Sequence, residues 1–278
     1  MDYVRRFLFE DLDIRGALVA LGNSWHEMQA ERDYPPGVAA LLGELAAATA
    51  LIAGNLKAPG RLTFQLQGHG RVALLLVDCD AQLRLRGTAR HTLESAAVAP
   101  APTFQDLLGD GQLMLTLQAE RGEPYQSIVP LVGTSLAEVF GHYLAQSEQQ
   151  ATQLILAATE SFAGGLFLQR LPHAEARDPD GWNRILHLAA TLQPQELAAP
   201  AASLLMQVFP EENIRLFDPR PVSYHCPRDE AKVLRMLQGL GRAEVAAALA
   251  EHGELVVEDD ICRHSYRYGA DILTRLFE

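Results

Sequence analysis

The spacing of apolar residues changes once between residues 35 and 132, and that change is the strongest constraint on what this chain folds into. Val38, Leu41, Leu42, Leu45 and Thr49 recur at three and four residues behind a Pro35-Pro36 start, which predicts a helix over 35–53. From Leu62 the period is two. Leu62, Phe64 and Leu66 alternate with polar residues, Gly68-His69-Gly70 turns, and Val72 to Val77 is an apolar run ended by Asp78-Cys79-Asp80. Leu83 and Leu85 alternate again, as do Leu113, Leu115 and Leu117; residues 120–124 turn, and Tyr125 to Val132 returns. Side chains on a strand point alternately to opposite faces, so this stretch predicts a meander of antiparallel strands with one apolar face. The chain must therefore place a helix beside a sheet.

The flanks extend the pattern. Ile14 to Leu21 predicts a strand. Ser135-Leu136-Ala137-Glu138 has capping-box spacing, and Leu136, Val139, Phe140, Tyr143 and Leu144 share a helical face. Strands are expected at 153–158 and 162–169. After Pro172 the composition shifts: 173–181 is charged, with a turn at Asp178-Pro179-Asp180-Gly181. Trp182 to Phe209 is rich in Ala and Leu and broken at Pro194 and Pro200, which predicts two or three short helices. Beyond Pro219 come an extended stretch, helices around 233–240 and 243–250 with Gly253 as a stop, and a small hairpin from 255–257 to Tyr266 and Tyr268. The expected class is α+β. An N-terminal α/β domain with an antiparallel meander (1–175) leads through a helical linker (176–218) to a small C-terminal module (219–278).

Charge and composition exclude several functions. The formal net charge of -12 is the wrong sign for gripping phosphates, so nucleic acid is not an expected partner. No run reaches about eighteen uninterrupted apolar residues, the length of a membrane span, so no membrane association is expected. Met1 to Phe7 places an acid early and has no long apolar stretch behind Arg5 and Arg6, unlike a secretory signal, so a cytoplasmic location is expected. Gly68-His69-Gly70 lacks the lysine and following helix of a phosphate loop, and neither a nucleophile elbow nor a His-Glu-x-x-His helix occurs. An enzyme is not expected.

Three cysteines, Cys79, Cys226 and Cys262, are too few for a disulfide framework. Cys79 ends an apolar strand and reads as a thiol near the core. The C-terminal module differs, because a unit of that size has little core and normally needs a metal, a disulfide or a partner surface. His225, Cys226, Asp259, Cys262 and His264 bring zinc-ligand types into it, and two sulfurs with His225, Asp259 or His264 would complete four ligands. Zinc is thus a candidate cofactor. The plainer reading of the same residues is two cysteines packed in a small core beside solvated acids, since neither belongs to a Cys-x-Cys or Cys-x-x-Cys pair.

Several stretches, in order, resemble the HslO family of redox-regulated heat-shock chaperones of thirty-three kilodaltons: GQLMLT (111–116), GEPYQSIV (122–129), YLAQSEQ (143–149) and AGGLFLQRLP (163–172). Phe9-Glu10 with Ile14 to Val19 resembles that family's start, Glu211 to Pro219 its entry into the zinc domain, and Tyr266-Arg267-Tyr268 its close. The resemblance implies an α/β domain, a helical linker and a zinc domain in which a Cys-x-Cys and a Cys-x-x-Cys pair hold the metal. In that family oxidants convert the pairs to disulfides and release zinc. The linker then loosens, and the protein dimerises and holds unfolding clients without ATP.

This chain departs from the pattern at the switch. A gap-free alignment puts Cys226 on the first cysteine, Arg228 on the second, Asp259 on the third and Cys262 on the fourth. Asp259 is an acceptable zinc ligand and Arg228 is not. The two-disulfide switch cannot form, and a single Cys226–Cys262 bridge can form only if the old site keeps the sulfurs close.

The expectation is an ATP-independent holdase for unfolding proteins, a homodimer when active, with a weakened or lost switch. Its client surface is expected to include Trp182, Ile185, Leu186, Leu188 and Leu192 on the linker. The alternative is a constitutive interaction module with one dedicated partner.

Overall fold

A computed structural model describes all residues except 57–59, 94–101, 120–121, 149, 173 and 278. The expected turn residues Glu120 and Arg121, together with Gln149 and His173, lie outside the described residues. In chain order the first elements are strands β1 (Tyr3–Phe9) and β2 (Ile14–Leu21), helices α1 (Asn23–Gln29) and α2 (Pro36–Asn55), and strands β3 (Gly60–Gly68), β4 (Val72–Cys79) and β5 (Arg84–His91). Helix α3 (Phe104–Leu108), strands β6 (Gly111–Ala119) and β7 (Tyr125–Pro130), helix α4 (Leu136–Glu148) and strands β8 (Thr152–Ala158) and β9 (Ala163–Arg170) follow. Then come helices α5 (Ala174–Arg177) and α6 (Gly181–Ala189), a 3-10 turn (Pro194–Ala198), helix α7 (Ala201–Val208) and short strands β10 (Ile214–Leu216), β11 (Arg220–Pro221) and β12 (Ser223–Tyr224). The chain closes with α8 (Glu230–Leu240), α9 (Arg242–His252), β13 (Leu255–Glu258), β14 (Ser265–Tyr268) and α10 (Ile272–Phe277).

These elements form two compact units, Met1–His225 and Cys226–Glu278. The first holds two six-stranded sheets. One runs β10-β1-β2-β9-β8 with β11 also on β1; the other runs β12-β5-β4-β3-β6-β7. The predicted alternation is realised in register: Leu62, Phe64 and Leu66 lie opposite Leu117, Leu115 and Leu113. Residues 219–225 continue this unit, because β11 pairs with β1 and β12 with β5.

Helix α2 packs against β2, β8 and β9 of one sheet and β3, β4 and β5 of the other. A helix touched on several sides must be apolar nearly all round. That explains why a helix long and apolar enough to suit a membrane is mostly buried inside this unit. The expected α4 face is buried at Leu136, Val139, Phe140 and Leu144. The Ser135 hydroxyl accepts the Glu138 N–H at 3.2 Å, whereas the Glu138 carboxylate reaches one residue further back, to the Thr134 N–H at 2.7 Å.

Asp78 and Asp80, which end the apolar run of β4, divide the work. Asp80 Oδ1 accepts the N–H groups of Gln82 and Arg84 at 3.0 and 3.1 Å and shapes the turn. Asp78 is buried on β4, where it accepts from Thr63 at 3.1 Å and pairs with Arg61 and Arg86 across both neighbouring strands. Removing a buried partner strands the charges left behind. Asp78→Ala is therefore expected to lower stability by about 2–3 kcal/mol in urea unfolding. A loss below about 0.5 kcal/mol would show the arginines turning to solvent without penalty.

The second unit packs α8, α9, α10 and the β13–β14 hairpin around Leu237, Val245, Leu249, Tyr266, Tyr268 and Ile272. Gly253 stops α9 in the left-handed region, φ 77°, as expected of a glycine there. A core of six buried side chains is small for an independent unit.

Candidate functional site

Two places carry the residues singled out from the sequence. The first is the segment from α6 to Phe209. Its helices are each shorter than a stable isolated helix, so their apolar faces must be held by packing. They are: Ile185, Ala189, Leu192, Leu197, Leu204, Leu205, Val208 and Phe209 form one core with Phe7, Phe9, Ile14, Leu18, Leu166 and Leu168 of the first sheet. The Phe9 and Phe209 rings meet edge to face at 5.1 Å. Of the five expected client-contact residues, Ile185 and Leu192 are buried and Trp182 and Leu188 pack partly against this core. Leu186 is half-buried. Arg184 ties the segment at its rim, pairing with Asp178 at 2.9 Å and Glu212 at 2.8 Å, and these two carboxylates raise its pKa further. The segment is thus an amphipathic cover on one face of the sheet.

The second place is the joint between residues 226–229 and 259–266. Cys226 and Cys262 form a disulfide, with Cα atoms 5.7 Å apart. The carbonyl of Cys226 accepts a hydrogen bond from His264 Nε2 at 2.8 Å, which fixes the donating tautomer. Asp259 Oδ1 accepts the N–H groups of Ile261 and Cys262 at 2.8 and 3.1 Å and folds the hairpin loop. Arg228 lies over the Tyr266 ring at 5.7 Å, and the Tyr266 hydroxyl accepts the Asp229 N–H at 2.9 Å. The Tyr266 and Asp229 roles were not legible in the sequence, because their contact spans 37 residues and has no local signature.

His225 belongs to the first unit, where its N–H donates to the Leu85 carbonyl at 2.8 Å. Among the described residues, no group of three or more His, Cys, Asp or Glu side chains is placed to hold a metal ion. Zinc needs about four free donors at tetrahedral corners. Here the two sulfurs are bonded to each other, and among the described residues no third or fourth side-chain donor is gathered beside them. This donor arrangement does not fit zinc. Cys79 is fully buried at the end of β4, and burial, with Asp80 and Asp78 nearby, pushes its thiol pKa far up, so it is inert.

Residues 2–269 match the family described as Hsp33 protein. The chain is 39% identical over 274 residues to the 33 kDa chaperonin of Neisseria gonorrhoeae, covering 98% of this chain and 90% of that one. It is 38% identical over 283 residues to the 33 kDa chaperonin of Pseudomonas syringae pv. tomato, covering 100% of this chain and 94% of that one. The crystal structure of the 33 kDa chaperonin (heat shock protein 33 homolog) of Thermotoga maritima superposes with a TM-score of 0.80 at 19% identity, over 99% of this chain and 97% of that one, which establishes the shared α+β fold. A sheet face under a helical cover, joined in sequence to a cysteine-bearing module, is here the architecture of a heat-shock chaperone. The chain belongs to the Hsp33 family.

Proposed function

We propose that this chain is an ATP-independent holdase, which binds unfolding proteins through apolar surface and keeps them from aggregating. The observation that supports this reading is the cover over the first sheet. Lifting 181–209 uncovers Phe7, Phe9, Ile14, Leu18 and Leu168 together with the cover's own apolar face. A conditional chaperone must bury in one state what it presents in another. The cover suits that duty. It is built of short helices interrupted at Pro194 and Pro200, which lose their order once detached.

Unfolding polypeptides are the partners of this reading, with a homodimer as the active form and the cytoplasm as the location. The negative charge disfavours nucleic acid, and burial of α2 between sheets gives that helix a soluble role. With one cysteine pair in place of two, the peroxide switch is weak, and heat is the trigger that loosens the cover.

The test is light scattering from a thermally unfolding client without ATP. The protein would be present fully reduced or peroxide-treated, each before and after a heat step. Suppression after the heat step in both redox states is the expected result. No suppression in any state would sink the holdase reading and leave the dedicated-partner alternative in front.

A further inference from the structure

We infer that the C-terminal unit of this chain is held by the Cys226–Cys262 disulfide in the role a metal would otherwise fill, so that oxidation secures the unit and reduction loosens it. This inference does not rest on the holdase reading.

The argument begins with the unit's size. Six buried side chains leave it short of core, so it needs a staple. The bridge is placed as one. It ties Cys226, which precedes α8, to Cys262 in the hairpin loop, closing a separation of 36 residues that spans both longer helices. Around it, the two strands of chain are joined step by step. Cys226 O meets His264 Nε2, Arg228 Nη1 donates to Ser265 O at 3.5 Å, and Asp229 N donates to Tyr266 Oη. Arg228 also stacks on Tyr266. These contacts occupy the joint with directed protein bonds, and Asp259 folds the loop that presents Cys262. A metal centre would need the bond between the sulfurs reduced and further donors gathered beside them, because the described residues place no group of three or more donors there. The disulfide needs neither. Both cysteines are partly accessible, so small oxidants and reductants can reach them.

The bond forms by exchange with a low-molecular-weight disulfide. One cysteine thiolate attacks that disulfide and displaces a thiolate. The second cysteine thiolate attacks the resulting mixed disulfide, closes the Cys226–Cys262 bond and releases the other thiolate. The two protons given up by the cysteines end on the two released thiols. The protein loses two electrons, and the small disulfide gains them.

The experiment uses the full chain, equilibrated with oxidised glutathione or with excess dithiothreitol, each with EDTA or with added zinc chloride. Alkylation after denaturation, read by mass spectrometry, counts free thiols. Amide exchange over α8 to α10 reads the unit, with β3 and β4 as an internal reference. In the oxidised sample, only Cys79 should be alkylated, and EDTA should leave exchange unchanged. Reduction should speed exchange over α8 to α10 by about a hundredfold or more, the scale expected for opening a loop of this length. Zinc should not restore protection, and β3 and β4 should not change. A Cys226→Ser/Cys262→Ser chain should exchange like the reduced protein and ignore dithiothreitol, which separates the pair from Cys79. The inference is overturned if reduction leaves exchange unchanged, if the oxidised sample alkylates at all three cysteines, or if the reduced chain binds zinc and regains protection.

Discussion

A chain carrying Ile185→Asp is expected to suppress client aggregation at a temperature where the unsubstituted protein does not. Ile185 is fully buried on α6, in the core shared by the cover and the first sheet. Removing its apolar bulk costs about 2–5 kcal/mol, and a carboxylate without a buried partner adds to that. The loss falls on one face of one short helix, so the cover should open before the rest of the unit. The core around α2 does not include Ile185, and its two-sheet packing is untouched. Leu186→Asp is the control, because Leu186 is half-buried on the same helix and absent from that core. It should change stability by under about 1 kcal/mol and leave the resting protein inactive. Light scattering reads the activity, and amide exchange over 181–209 reads the opening. Faster exchange there with no gain in suppression would show that the cover hides nothing a client uses.

The second large effect is on pH dependence. Glu44 sits half-buried on α2, and desolvation of its carboxyl pushes its pKa from 4.5 up to about 7. Desolvation disfavours the charged form, so the folded protein keeps this proton where the unfolded chain has already lost it. Stability falls with rising pH wherever the folded state binds more protons. The contribution of Glu44 is therefore most favourable below 4.5 and is lost as pH rises to about 7. The full effect has an upper bound of about 3 kcal/mol, with no further change above that window. Glu44→Gln is neutral at every pH. It should gain stability over the unsubstituted protein at pH 8, approach it at pH 4.5, and flatten the slope between. Urea unfolding across that range checks the sign. Parallel curves for the two proteins would mean that Glu44 is ionised and solvated in the fold.

Much of the first unit was legible because strand and helix periods are local properties. Leu62, Phe64 and Leu66 announce one strand face, and Leu136, Val139, Phe140 and Leu144 one helix face, before any partner is known. The 35–53 pattern gave the helix but not its place between two sheets. Its thirteen buried positions exceed what a one-sided stripe would bury, and the second sheet supplies the difference. The strand pairings of 220–224 were not legible. Two-residue strands have no period, and only the edges of β1 and β5 make them strands.

The candidate sites divide along the same line. By itself the sequence determined the family's motifs, the loss of two cysteine positions, and the short amphipathic helices of 182–209. Each is written in residue identity and spacing. Only the tertiary structure decided that those helices cover Phe7, Phe9 and Ile14, and that Glu44 is half-buried with its carboxyl desolvated. It also decided that Asp259 folds the hairpin loop, that His264 reaches the Cys226 carbonyl, and that Cys226 meets Cys262. These depend on which distant surfaces meet, and burial and pairing are properties of the meeting, not of either segment.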